Sequence, residues 1–314
     1  MRYRRLGGTD LDVSAVCLGP MRAATKEPTE DAKSKAGEDA LRFAIDAGVN
    51  FIHSSYEYRT RWMMERVLRD HPKRHDLHHV IKVPVPDFKD EGRFDAAKFR
   101  ERIEEALRDL HAERIAVLQW MWRSDPLSDE LRVPMLPGLM DDLMEAFERV
   151  RDEGKAGYMM PFPYTVESTR AAMETEKFDG IIAYYNPIEM EMAELFDELE
   201  ERGMGFLCIR PLYQGILTDQ RAKPTADDRF SDPKYADDFA KRAKIVEAFG
   251  DEIGDSMTSF AIRFALASPV VGSVIVGLNS PQQAEGIIAA AEGPLPSPRI
   301  ISRAFELWKA GFGI

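Results

Sequence analysis

Short apolar runs alternate with amphipathic segments along the whole chain. The runs are four to six residues long and rich in Val, Ile, Leu and Phe, which is typical of the buried strands of a parallel sheet. The segments between them carry apolar residues three and four apart, as helices that cover such a sheet do. The predicted strands are 16–19, 50–54, 79–83, 115–120, 157–160, 180–185, 205–209 and 272–276. The clearest helical patterns are 37–48, 99–110, 139–150 and 191–203.

The number of these repeated units predicts the fold. Eight strand-and-helix units close a (β/α)8 TIM barrel of the α/β class. No linker or internal repeat divides the sequence, so we expect residues 1–314 to form a single domain. A Gly-Gly turn at 7–8 predicts an N-terminal β-hairpin that plugs the bottom of the barrel, and an extra C-terminal helix is expected at 302–312. The longest irregular segment is 213–236, after the seventh strand.

Composition and charge restrict the partners. The 314 residues carry 42 basic and 54 acidic side chains, a net charge of −12, which repels phosphate backbones and anionic membranes unless basic residues are segregated. No basic patch is visible, so we expect neither nucleic acid nor a membrane as a partner. The oligomeric state is left open. Cys17 and Cys208 lie in apolar runs and are expected to be buried, reduced thiols. The sequence has no signal-like start and no long apolar stretch, which favours a cytoplasmic protein.

Several segments resemble the aldo/keto reductase family, in the family's order and over nearly the whole chain. The resemblance implies the same barrel, oxidoreductase activity on a small carbonyl or hydroxy compound, and NAD(H) or NADP(H) as cofactor. The segments are YRRLGGTDLDVSAVCLGPM (3–21), ALRFAIDAGVNFIHSSYEY (40–58), VIKVP (80–84), LRDLHAERIAVLQWMW (107–122), EGKAGY (153–158), YNPIE (185–189), GMGFLCIRPLYQGILT (203–218) and SVIVGLNSPQQ (273–283).

The resemblance also implies a catalytic site in which two of four positions are replaced. In the family a Tyr gives a proton to the substrate carbonyl, a Lys lowers the pKa of that Tyr, an Asp holds the Lys, and a His orients the carbonyl. The matching residues here are Tyr58, Lys82, His53 in the Asp position and Met121 in the His position. We therefore assign Tyr58, Lys82 and His53 as catalytic candidates. Because the carboxylate is lost, the pKa of Lys82 is expected to fall in a dry site.

The cofactor contacts that the resemblance implies are changed as well. The family's Ser-Asn after strand five corresponds to Phe162 and Pro163, and its Gln from strand six corresponds to Ile182. After strand eight, the residues 280–283 predict a capping box with Pro at the first helical position, where free N–H groups face an anion. A well-capped helix without a ligand shows the same pattern, and a protein without cofactor is the alternative. The residues assigned to cofactor binding are Arg210, Gly277, Asn279, Ser280 and Gln283.

Aromatic and Met residues gather near the same end of the predicted barrel. Alternation along the fourth strand puts Trp120 and Trp122 on one face and Met121 on the other, and the resemblance puts Met121 inward. The residues assigned to the substrate pocket are Met121, Trp122, Tyr56 and Phe162. The charged side chains Glu57, Arg123 and Asp125 lie in predicted loops at this end. The histidines at 71, 75, 78 and 79 match no zinc spacing, so no metal site is predicted.

Three hypotheses for the function remain open. The first is a divergent aldo/keto-reductase-like oxidoreductase in which Tyr58 is the proton donor or acceptor and Lys82 its electrostatic partner. The second is a non-redox isomerase, dehydratase or lyase in which Lys82, freed from its carboxylate, is a base or a Schiff-base nucleophile. The third is a binding or regulatory barrel that has lost catalysis.

Overall fold

Eight parallel strands form the framework of the molecule. The structure, a computed structural model, describes residues 1–224 and 229–314. The barrel strands are β3 (Val16–Leu18), β4 (Phe51–Ser54), β5 (His78–Pro84), β6 (Ile115–Met121), β7 (Ala156–Pro161), β8 (Gly180–Tyr184), β9 (Gly205–Ile209) and β10 (Val271–Val276). Each overlaps one of the strands predicted from the apolar runs. Neighbours in the sheet follow the order β7-β6-β5-β4-β3-β10-β9-β8.

The two end strands of this order lie side by side, so the sheet is nearly closed. The backbone N–H of Asp179, just before β8, donates to the carbonyl of Met159 on β7 at 3.1 Å. The Met159 N–H in turn donates to the Asp179 carboxylate at 2.8 Å. The (β/α)8 barrel predicted from the sequence is therefore confirmed.

Helices cover the outside of the barrel between successive strands. They are α1 (Ala32–Asp46), α2 (Arg61–Arg69), α3 (Ala96–Asp109), α4 (Asp129–Asp152), α5 (Val166–Glu174), α6 (Phe196–Glu201), α7 (Ala236–Ile253), α8 (Met257–Ala265), α9 (Pro281–Glu292) and α10 (Pro298–Lys309). Side-chain caps begin several of them: Asp31 accepts from Ser34 N–H and Asp95 from Lys98 N–H, which satisfies donors that a helix start leaves free. Among the described residues, none of the helices combines the length and apolarity needed to span a bilayer.

The predicted N-terminal hairpin is present below the barrel. Its strands β1 (Tyr3–Arg5) and β2 (Asp12–Ser14) pair antiparallel, and the buried Leu6 and Leu11 join the interior cluster of the barrel. Gly7 has φ +53°, and a Cβ at this position would lie 2.3 Å from a backbone nitrogen of β9. A glycine is therefore required where the turn meets the barrel floor.

The boundaries of several predicted elements differ from the structure. The C-terminal helix starts at Pro298 rather than at 302, because Ser297 and Pro298 form a regular N-terminus. Helix α4 starts ten residues before the predicted 139–150 pattern and contains Pro134 and Pro137. The region 213–236 contains short 3-10 turns, and residues 225–228 of that prediction lie outside the described residues.

Alternation along the strands separates two buried layers. Inward side chains form an interior cluster, while outward ones pack under the helices in a larger cluster. The interior cluster includes Cys17, and the outer cluster includes Cys208; both are buried free thiols, as expected. The same alternation decides which polar side chains reach the barrel mouth, at the carboxyl ends of the strands.

Candidate active site at the barrel mouth

Adjacent strands deliver the catalytic candidates to one place. His53 lies on β4 and Lys82 on β5, while Tyr58 belongs to a 3-10 turn, Tyr56–Tyr58, that follows β4. The turn begins at Ser55, whose hydroxyl accepts from the Glu57 N–H at 3.2 Å. The Lys82 ammonium lies 4.7 Å from the centroid of the Tyr58 ring, and the rings of His53 and Tyr58 are 5.9 Å apart. The structure thus brings together the three residues assigned as catalytic.

Lys82 contacts the face of the Tyr58 ring, and this geometry differs from a Lys-to-hydroxyl hydrogen bond. An ammonium over an aromatic face is attracted by the ring quadrupole. Within residues 1–224 and 229–314, no carboxylate oxygen lies within 4.0 Å of its Nζ. Burial lowers the pKa of Lys82 from 10.5 to about 8, although Glu57 has an opposing effect. With this pKa, roughly a tenth of the amine is unprotonated at pH 7, far more than for a solvated lysine.

The Tyr58 phenol is not acidified by its surroundings. Burial and the nearby Glu57 raise its pKa above the ordinary value of 10. Among the described residues, no hydrogen bond joins the Lys82 ammonium to the Tyr58 hydroxyl, so the phenolate lacks that direct stabilisation. Tyr58 is therefore a neutral hydroxyl at physiological pH, able to donate one proton and accept another hydrogen bond.

His53 is held as a neutral imidazole. Its Nε2 lies 2.7 Å from Oε1 of Gln119 on β6, and burial together with Lys82 lowers its pKa to about 3. A neutral ring provides none of the negative charge that a carboxylate would offer Lys82. Gln119 was missed by the sequence analysis, although a single amide inside the apolar strand IAVLQWM was a usable signal. Its Nε2 is buried and has no hydrogen-bond partner among the described residues.

A network centred on Arg123 covers this group of residues. The two terminal nitrogens of the guanidinium donate to the Glu57 carboxylate, at 2.7 and 3.2 Å, and one of them also donates to Asp87 at 2.8 Å. Its Nε donates to the Tyr164 hydroxyl at 3.3 Å, and the ring of Phe88 lies 4.9 Å below the cation. The sequence placed Arg123 and Glu57 in loops at this end of the barrel, but it did not predict that they pair. Their pairing fixes the turn that carries Tyr58, because Glu57 is its chain neighbour.

The residues assigned to the substrate pocket occupy different surroundings. Met121 is buried beside Arg123, with its sulfur 3.8 Å from a guanidinium nitrogen. Phe162 packs on the rings of Tyr164 and Tyr184, at 4.3 and 5.2 Å. These two lie at the mouth, where inward-facing positions were expected.

Tyr56 and Trp122, the other two residues assigned to the substrate pocket, lie apart from Met121 and Phe162. Tyr56 donates to Asp87 at 3.4 Å and stacks against the Arg102 cation at 4.0 Å, which places it on the outer rim. Trp122 is fully buried in the outer cluster, stacks on Trp120 at 4.9 Å and donates to the Arg132 carbonyl. It therefore packs under the helices, on the face of β6 opposite to Met121.

The opposite side of the mouth carries a second charged group. Arg210, after β9, pairs with Glu189 at 3.2 Å and lies over the rings of Tyr184 and Tyr213 at 4.5 and 5.0 Å. Glu189 also accepts from the Asn186 side-chain amide at 2.7 Å. Burial raises the pKa of Glu189 to about 7, against the lowering effect of Arg210. Arg210, assigned to cofactor binding, is thus already paired with a carboxylate.

The predicted capping box forms at the start of α9. The Ser280 hydroxyl accepts from the Gln283 N–H at 3.3 Å, and the Gln283 side chain accepts from the Asn279 N–H at 2.9 Å. When its side-chain amide is turned so that the nitrogen faces acceptors, Asn279 donates to the carbonyl of Arg22, which follows β3. Gly277 has open space at its Cβ position apart from a carbonyl at 3.8 Å. These four residues lie together, and the cap consumes the polar side chains of two of them.

A cavity of about 350 Å³ lies at the other end of the barrel, beside the N-terminal hairpin. Its lining includes His75, His78 and His111. No three His, Cys, Asp or Glu side chains of the described residues are arranged to hold a metal ion. The histidines noted in the sequence therefore lie far from the mouth, except for His53.

Comparison with known proteins decides the family. The aldo/keto reductase family model matches residues 15–300. The chain belongs to the aldo/keto reductase family. It is 26% identical to the uncharacterized oxidoreductase YqkF of Bacillus subtilis over 93% of this chain and 91% of the relative. It is 24% identical to L-galactose dehydrogenase of Arabidopsis thaliana over 92% and 88%. The holo structure of aldo-keto reductase AKR11C1 from Bacillus halodurans superposes with a TM-score of 0.75 at 18% identity, covering 98% and 96% of the two chains.

Members of this family use a nicotinamide dinucleotide, and the residues of this chain fit its two ends unequally. At the nicotinamide end, Phe162 packs against two tyrosines, Ile182 is buried inside the barrel, and Pro163 has no N–H to donate. None of them offers a side-chain partner to a carboxamide. At the phosphate end, α9 begins with a side-chain cap at Ser280 and with Pro281 in its first turn. The nicotinamide end does not fit, so no hydride step is assigned to these residues.

Proposed function

We propose that this aldo/keto reductase acts on a small carbonyl or hydroxy compound bound at the mouth, with Tyr58, Lys82 and His53 around the reacting oxygen. The contact of 4.7 Å between the Lys82 ammonium and the Tyr58 ring carries the proposal. A lysine buried at the end of a barrel strand without an acid is costly, and such residues are more often functional than structural. The oxidoreductase relatives favour a redox reaction of this class.

Each residue has a defined role in this proposal. Tyr58 donates a proton to the carbonyl oxygen, or accepts one from a hydroxyl group in the reverse direction. Lys82 places a positive charge, or an amine lone pair, next to the same oxygen depending on pH. His53 stays neutral and orients the group through the ring nitrogen that Gln119 does not occupy. Phe162 and Met121 provide an apolar wall that suits a small organic molecule better than a sugar phosphate.

The redox form of the proposal also needs a nicotinamide dinucleotide, which the family uses but whose nicotinamide end the residues of this chain do not fit. When bound, such a cofactor supplies the hydride acceptor or donor that the side chains lack. The start of α9, with Gly277, Asn279, Ser280 and Gln283, is the region that would hold its phosphates. The proposal in its redox form requires NADH or NADPH to bind despite the loss of the family's carboxamide partners.

The experiment is a cofactor titration combined with a substrate screen. Isothermal titration with NADH and NADPH measures binding, and a panel of small aldehydes, ketones and alcohols is then assayed for turnover with and without the bound nucleotide. We expect turnover of a carbonyl or hydroxy compound that Tyr58→Phe reduces by roughly 10²–10⁴-fold. Absence of binding by both nucleotides removes the redox form. Absence of turnover and of ligand binding at the mouth contradicts the whole proposal.

A further inference from the structure

Among the described residues, the Lys82 amine lacks the carboxylate partner that the half-buried Lys98 and Lys155 have. Lys98 pairs with Asp90 at 2.6 Å, and Lys155 pairs with Glu104 at 2.7 Å. Lys82 instead has an aromatic face on one side and a neutral imidazole nearby. The nearest acid, Glu57, is engaged by both nitrogens of Arg123. The amine is therefore desolvated, unpaired and inside the mouth of the barrel.

We propose that Lys82 forms a reversible imine with a small aldehyde or ketone at the barrel mouth. The inference rests on the proposed function only in that a carbonyl compound must reach the site. A lysine becomes a Schiff-base nucleophile when its surroundings stop favouring the ammonium form. Replacement of the family's carboxylate by His53 removes one negative charge that could favour that form, and the salt bridge of Glu57 to Arg123 offsets the charge of a second.

The reaction balances without an oxidant, a reductant or a cofactor. The Lys82 nitrogen lone pair attacks the carbonyl carbon, and the carbonyl oxygen takes up a proton to give a carbinolamine. The carbon–oxygen bond then breaks, a second proton goes to the leaving oxygen, and water departs. The product is a protonated carbon–nitrogen double bond, so that ammonium plus carbonyl yields iminium plus water. Tyr58, whose ring centroid lies 4.7 Å from the amine, carries the hydroxyl that can relay these protons.

The groups facing the amine set its pH dependence. They are His53 on β4, Glu57 and Tyr58 on the following turn, and Arg123 after β6. His53 is neutral above a pKa of about 3 and Tyr58 is neutral below an elevated pKa. Glu57 and Arg123 oppose each other across a salt bridge. Imine formation is therefore expected to rise as the pH approaches about 8, the value of the Lys82 pKa.

The test is reductive trapping on the wild-type protein. The chain is incubated briefly with limiting propanal or acetone at pH 7.5, reduced with sodium borohydride, digested and mapped by peptide mass spectrometry. We expect Lys82 to be alkylated about tenfold or more faster than Lys98, because a larger share of its amine is neutral. Lys82→Arg, which retains the charge but cannot form the imine, is expected to lose this adduct, while Lys98→Arg retains it. Labelling of Lys82 no faster than Lys98 overturns the inference.

The trapping result and the proposed function fail separately. Carbonyl compounds that bind or turn over in the wild type without leaving an adduct on Lys82 overturn the imine alone. An adduct on Lys82 with no turnover of any panel compound supports the imine and contradicts the proposed function. Circular dichroism of Lys82→Arg checks that the variant is folded, and the wild-type mapping does not depend on it.

Discussion

The two sides of the barrel mouth differ in whether their positively charged side chain has a carboxylate partner. On the side of β4 and β5, Lys82 has no acid within 4.0 Å among the described residues, whereas on the side of β8 and β9 Arg210 pairs with Glu189 at 3.2 Å. Both cations lie over tyrosine rings, at 4.7 and 4.5 Å. The aromatic contact is thus common to both sides, and the missing carboxylate is what distinguishes Lys82. Glu189 compensates the charge of Arg210, while an unpaired buried amine is a candidate for chemistry.

Removing the Lys82 amine gives the largest expected effect. Lys82→Met retains most of the side-chain volume and eliminates both the charge and the lone pair. We expect turnover of the substrate found in the screen to fall by roughly 10²–10⁴-fold. The matched control is Lys155→Met, whose amine pairs with Glu104 and Glu153 just before β7, at the end of the barrel opposite the mouth. Equal losses in the two variants would contradict a special role for Lys82.

Restoring a carboxylate at position 53 is the sharpest test of the difference between the two sides. His53→Asp places a negative charge next to Lys82, and an opposite charge at such a distance raises the pKa of an amine by about 1–3 units. The midpoint of propanal trapping on Lys82 should shift upward by that amount. His53→Asn, which adds no charge, serves as the control and should leave the midpoint near its wild-type value. An unchanged midpoint in His53→Asp would show that the missing carboxylate does not explain the amine.

Glu189, on the side of the mouth where Arg210 is paired, should make the free energy of unfolding depend on pH. The pKa of Glu189 is raised from 4.5 to about 7 in the folded chain, so the folded state holds this proton more tightly than the unfolded state does. The stabilisation is complete below about pH 4.5 and is lost as the pH rises through about 7. Its size is at most roughly 3 kcal/mol. Glu189→Gln should remove this decline in urea unfolding measured at pH 5 and 7.5; a decline that persists unchanged assigns it to another group.

Breaking the Arg123 network is expected to have the smallest effect. Arg123→Met leaves Glu57 and Asp87 without their partner, and because both carboxylates are partly exposed the loss of stability should be about 1–2 kcal/mol. Glu57, freed from Arg123, should also raise the pKa of Lys82. Urea unfolding and the trapping midpoint measure the two effects. A stable variant with an unshifted midpoint would exclude Arg123 from the control of Lys82.

The sequence predicted the framework better than it predicted the contacts between charged side chains at the barrel mouth. Apolar runs located all eight barrel strands because buried parallel strands are apolar on both faces. The resemblance located Tyr58 and Lys82, which the fold does bring together. It did not predict that Arg123 would bind Glu57 and Asp87. Nor did it predict that Arg210 would bind Glu189. The partners in these pairs are separated in the sequence, and only the folded structure shows that they lie close together. Trp122 illustrates the same limit: its strand alternation pointed away from Met121, yet its aromatic character suggested the pocket.

A measurement of the Lys82 protonation state tests most directly whether this amine has a lowered pKa. Lysine labelled with ¹³C at the ε-carbon gives an NMR signal that shifts when the amine loses its proton, and the Lys82→Arg spectrum assigns it. We expect a titration midpoint near pH 8 in the folded chain, well below the ordinary 10.5 of a solvated lysine. A midpoint near 10.5 would show that Lys82 is an ordinary ammonium group, and both the imine and the distinction between the two sides of the mouth would have to be abandoned.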